Sequence, residues 1–127
     1  MLKLWVGGII DADIADSFRE LRNTLQQAVN AALHNQHYGD ALGTWDVVIA
    51  VCSRPPSEHV RYSARTKETD IRVVIDHALF EQSSLPERAN LLAGAVLDSL
   101  HRLRVKAIAG VDFDRLQHDV SVALAQV

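Results

Sequence analysis

The chain carries a single cysteine, Cys52, in 127 residues. No internal disulfide can form, and a zinc centre built on several thiolates is excluded. Long apolar runs are missing too. The opening stretch Leu2 to Val6, already broken by Lys3, gives way to Gly7-Gly8 and then to acids. That is too short for a secretory signal or a membrane span. Gly7-Gly8 also lacks the companion residues of a phosphate-cradling loop. A basic excess is absent: Lys plus Arg is 13 against 16 for Asp plus Glu, a net charge of −3. A phosphate-backbone binder needs the opposite balance. These absences leave a protein expected in the cytoplasm, away from membrane and nucleic acid, whose mild acidity suits a basic protein partner.

What is present is enough apolar residue, 48% of the chain, to fill one core. A single domain over residues 1–127 is expected. Leu2 to Val6 reads as a strand halted by the glycines. Ile14, Phe18, Leu21, Leu25, Ala28, Val29 and Ala32 then recur at three- and four-residue steps, the stripe of an amphipathic helix from about Asp13 to His37. Asp13 is placed to cap it, and Gly39 to stop it. Trp45 to Cys52 reads as a central strand. Pro55-Pro56 forces a turn. His59 to Thr66 alternates, with a tight connection at Lys67-Glu68-Thr69 and a further strand from Ile71 to Ile75. Ser84 and Glu87 have capping-box spacing before a helix that ends among Arg102, Arg104 and Lys106, and Asp112 caps a last helix. The predicted fold is α+β, in the order β-α-β-β-β-α-α, with a mostly antiparallel sheet of about four strands packed against helices.

Chemistry-bearing residues are sparse. Asp11, Asp13, Asp16 and Glu20 open the first helix, the last three on one face, roughly opposite the apolar stripe. Such acids suit the positive end of a helix dipole. They also suit a docking surface, since clustered exposed carboxylates steer a cationic partner and set its orientation. The partner-binding residues assigned are those four, with Glu58 and Asp76 in support. No catalytic residue, metal ligand or cofactor is assigned. His34 and His37 form one helical pair without a carboxylate. The alternative is a small RNA-cleaving or hydrolytic enzyme using Glu58, His59 and Arg61 as base, acid and phosphate clamp. A solvent-facing strand gives the same alternation without function. A homo-oligomeric structural module is a third reading.

A resemblance sharpens this. Leu2–Arg22 with its glycine turn and Asp-led helix, Tyr38-Gly39, the Trp45–Val51 strand, Arg61-Tyr62-Ser63 followed by Asp70 to Asp76, then Phe80, Ser99-Leu100 and Asp112-Phe113-Asp114-Arg115-Leu116 with Asp119 form a series of blocks. That series resembles the bacterial immunity proteins of polymorphic toxin and contact-dependent growth inhibition systems known as immunity protein forty-four. The resemblance implies a cytosolic, non-enzymatic antidote. It would bind, one-to-one, the C-terminal toxin domain of a secreted exoprotein, with a nuclease the expected target.

Overall fold

The opening strand does not stop at its glycines. In the computed structural model, which describes Met1–Val127, β1 (Lys3–Ile10) runs through both. The cause is packing. A Cβ on Gly8 would lie 2.6 Å from the Phe18 ring, so the bare backbone lets helix α1 (Ala15–Leu33) approach closely. Helix α1 buries Phe18, Leu25, Val29 and Leu33, as its stripe predicts. Its ends differ from expectation. The N-cap is Ile14, with no side-chain bond, after a turn in which the Ile14 N–H donates to the Asp11 carbonyl. Asp13 therefore caps nothing. The helix ends at Leu33, and Asn35 takes the left-handed turn (φ 61°) that was assigned to Gly39.

Strands β2 (Thr44–Val51), β3 (His59–Ser63) and β4 (Glu68–Val74) complete the sheet, in the spatial order β1-β2-β4-β3. β1 with β2 and β2 with β4 are parallel; only β3 with β4 is antiparallel. The expected mostly antiparallel sheet is thus corrected to a mixed one. Burial explains the swap. β4 turns Ile71 and Val73 fully inward and keeps its other face half-buried, whereas β3 exposes Arg61 and Ser63. The more apolar strand takes the interior and the polar one the edge. The β3–β4 turn also falls early, at Ala64–Lys67, with Lys67 left-handed (φ 58°) and its N–H donating to the Ser63 carbonyl at 2.8 Å.

A short helix, α2 (His77–Gln82), follows and was not foreseen; the Asp76 carboxylate caps it by accepting from the Leu79 N–H. α3 (Leu85–Val105) begins with the expected Ser84–Glu87 capping box, and α4 (Phe113–Ala125) with the expected Asp112 cap. The architecture is α+β, with the long elements in the predicted order. No helix is long and apolar enough to cross a membrane.

The helices stack on one face of the sheet, where 28 buried apolar residues form one cluster. Trp45 sits inside it with no exposure. Its indole N–H donates to Ser99 Oγ on α3 (3.1 Å), which in turn donates to the Val96 carbonyl (2.7 Å). Helix α1 also closes the outer edge of β1. The Leu4 N–H donates to Asn30 Oδ1 (2.8 Å), and Asn30 Nδ2 donates back to the Leu4 carbonyl (2.9 Å). Gln26 Oε1 accepts from the Val6 N–H (2.7 Å), and Arg22 donates to the Val6 carbonyl (3.0 Å). Side chains here hold the positions another strand would use.

Candidate functional site

Three parallel strands end side by side, and acids gather where they end. Asp11 follows β1, Ser53 comes shortly after β2, and Asp76 and His77 lie just beyond β4. Asp11 Oδ2 accepts from the Ser53 N–H (3.1 Å) and from Ser53 Oγ (3.0 Å). His77 Nε2 lies 3.2 Å from the same oxygen, and Nδ1 lies 3.8 Å from Glu81 Oε2. That Nε2 is buried and aligned with no acceptor, so its closeness to Asp11 is not a formed hydrogen bond. Asp11, Asp13 and His77 each offer one donor atom, all within 4.8 Å of one another, a spacing that could hold a metal ion. Asp11 is already engaged by Ser53, however, and that bonding suffices to explain the group as a polar knot closing the strand ends.

Asp13, Asp16 and Glu20 stand exposed beside it. Asp16 lies 3.6 Å from Arg19, with both side chains largely in water. Such a pair contributes little and is easily exchanged for a better one. Asp13 and Glu20 have no cation of their own within ion-pairing distance. Asp76 is exposed but engaged as the α2 cap. Glu58 sits at the same end of the sheet, at the entry of β3 beside the end of β4, but is fully engaged: Oε2 is 2.9 Å from the Arg102 guanidinium on α3, and Oε1 accepts from the Val74 N–H (3.2 Å). Arg102 is held in addition by Asp98 at 2.8 Å. Glu58 therefore fastens the entry of β3 to α3. His59 contacts Asp70 instead (3.1 Å), and Arg61 sits opposite Asp70 in register. Glu58, His59 and Arg61 do not converge on one point as base, acid and clamp.

Sequence reasoning missed the other face of the sheet. There Trp5 is 47% and Ile9 40% exposed, with Lys3 Nζ 4.5 Å over the Trp5 ring. Asp46, Glu68 and Asp70 line a shallow pocket of about 460 Å³ with Arg61. Burial, and then the charges of Glu68 and Asp70, hold the Asp46 carboxyl above its ordinary value, against the opposing Thr44 hydroxyl bond. The placement of Trp5 was readable, because it alternates with buried Leu4 and Val6. The grouping of Asp46 with Asp70 was not, since it requires β4 to lie beside β2.

A raised carboxyl value means that the folded state grips the proton more tightly than the unfolded chain does. The contribution is fully present below the ordinary aspartate value and is lost as pH rises through the raised one. Asp46→Asn should therefore raise the urea midpoint at pH 7, with the gain vanishing near pH 3. A loss at pH 7, or a gain independent of pH, would refute this account of Asp46.

Together these features describe a small α+β protein with a mixed four-stranded sheet and acidic strand ends. A sequence model of the family described as Immunity protein 44 matches residues 2–126, and the chain belongs to that family. Neither the curated proteins nor the solved structures contain a match. Membership makes this an immunity protein, a class whose members bind a cognate toxin.

Proposed function

We propose that residues 1–127 act as one domain that neutralises a cognate toxin domain in the cytoplasm, by one-to-one binding and without catalysis. The toxin is a basic nuclease, the C-terminal domain of an exoprotein of a contact-dependent growth inhibition system. Nuclease surfaces that hold phosphates are cationic. The observation that carries the reading is that Asp13, in the turn after β1, and Asp16 and Glu20, on the first turns of α1, are all exposed to water with only the loose Asp16–Arg19 contact among them. Asp11 and Asp76 extend the acidic ground to the ends of β1 and β4. Glu58, bound to Arg102 and to the Val74 N–H at the end of β4, supports the scaffold there.

Exposed rim charges act chiefly on encounter. In the triple variant Asp13→Lys, Asp16→Lys, Glu20→Lys, association with the toxin domain encoded in the adjacent gene should slow by roughly tenfold or more at low salt. The remaining rate should lose most of its salt dependence. Stopped-flow measurement over a salt series gives both numbers. An association rate and salt slope identical to wild type would remove α1 from the interface.

A further inference from the structure

Parallel strands are ordinarily covered on both faces. Here β1, β2 and β4 are parallel, yet the helices cover only the face that carries Trp45. Register defines the rows of the other face. Gly7 lies beside Val48, and Val48 beside Arg72; Ile9 lies beside Ala50, and Ala50 beside Val74. Trp5 lies beside Asp46. Ala50 is fully buried, but a Cβ built on Gly7 would meet nothing within 4 Å, so the face opens at Gly7 into a trough between Trp5 and Ile9. Large exposed apolar side chains around such a trough mark a contact surface.

Both ends of the trough are acidic. Asp46, Glu68 and Asp70 stand at one end. Asp11 and Asp76 stand at the other, past Ile9 and Val74. Lys3, Arg61 and Arg72 are the cations on the face. Lys3 is stacked on Trp5, Arg61 is opposite Asp70, and Arg72 is half-buried beside His59. A second copy laid on this face would set acid against acid at both ends. A basic partner would meet complementary charge at both. The trough is also continuous with the acidic strand ends, because Val74 and Asp76 line a common pocket with Cys52.

We propose that the uncovered sheet face is the seat of the toxin domain, with Trp5 and Ile9 as apolar anchors, Gly7 as the opening between them, and the two acidic ends as a charged rim. This rests on the toxin-binding function proposed above and locates its centre on the sheet instead of on α1. An apolar middle within a polar rim is the usual anatomy of a specific interface, and tryptophan is among the residues enriched as anchors.

The test measures rates with the purified toxin domain encoded in the adjacent gene. Trp5→Ala removes the anchor, and Gly7→Gln fills the trough with neutral bulk at a site with room for it. Both variants should keep the wild-type circular dichroism and urea midpoint. Each should weaken binding by about thirtyfold or more, almost wholly through faster dissociation, in contrast to the α1 charge reversals that slow association. Acrylamide quenching of Trp5 should fall when toxin is added. Wild-type binding with both variants within threefold of it would overturn this proposal and leave toxin neutralisation standing. No binding by the wild type would overturn the function itself. A free chain that dimerises at micromolar concentration through Trp5, with toxin affinity unaffected by Trp5→Ala, would also overturn the proposal and assign the face to a second copy.

Discussion

Trp45→Ala should lower the unfolding free energy by about 3–5 kcal/mol, enough to remove much of the stability of a domain of this size. The indole has no exposure and lies between the sheet and α3. Its removal empties a cavity at the centre of the core and leaves Ser99 Oγ without a donor. Trp45→Phe separates the two effects. It keeps most of the apolar fill and deletes only the N–H, while Ser99 Oγ still donates to the Val96 carbonyl. The expected loss is about 1–2 kcal/mol. Urea denaturation of the two variants checks the ordering. A Trp45→Ala loss below about 1 kcal/mol would mean that the helical layer closes over the gap and that Trp45 is no keystone.

Much of the scaffold is visible in the sequence, because local physics decides it. The α1 stripe, the Ser84–Glu87 box, the Asp112 cap and the apolar run of β2 each report on residues within one or two turns of chain. What was misread depends on partners distant in sequence. Gly7-Gly8 looks like a break until Phe18 is seen to need the room. Three strands with short links look like a meander until the polarity of β3 sends it to the edge and β4 slides in beside β2. The candidate surface divides in the same way. Asp16 and Glu20 share a helical face and could be grouped by counting, whereas Asp13 falls in the turn before α1 and not on its face. His77 joins Asp11 only because β1 and β4 end on the same side of the sheet. The trough between Trp5 and Ile9 exists only because no helix crosses that face.

The division also makes function and stability separable by experiment. The core faces one side of the sheet, and the proposed contact residues face the other or stand on α1. The side chains of Trp5, Asp13, Asp16 and Glu20 make no hydrogen bond or ion pair to a residue of the Trp45 cluster, and Gly7 has none to lose. Arg88 illustrates the opposite case. Its guanidinium donates to the carbonyls of Phe80 (2.7 Å) and Glu81 (2.8 Å) and to Ser17 Oγ (3.1 Å), and so ties α1, α2 and α3 together. Removing it would disturb the acidic strand ends indirectly, which makes it a poor probe of binding.

Gly39→Ala should cost about 3 kcal/mol or more, although it adds one methyl group in a loop. Gly39 has φ +115°, where an L side chain is strained. Its missing Cβ would lie 1.8 Å from the Gly110 carbonyl oxygen, a backbone atom that cannot rotate away. The two loops are fastened at this point. The Asp112 N–H donates to the Tyr38 carbonyl (2.9 Å), and the Tyr38 hydroxyl donates to Asp119 (2.6 Å) on α4. The Arg115 guanidinium lies 4.6 Å over the Tyr38 ring. Burial and the Asp119 bond hold the Tyr38 hydroxyl in its protonated form well above the usual tyrosine range. Forcing the loops apart therefore pulls α4 away from the connection between α1 and β2. Gly110→Ala is the internal control. Gly110 also has positive φ (80°), but nothing lies within 4 Å of its would-be Cβ. It should lose only the conformational term, about 1–2 kcal/mol. The difference between the two alanine variants, read from urea midpoints, isolates the close approach of the two backbones. Equal losses would show that conformation alone, and not contact with Gly110, requires glycine at position 39.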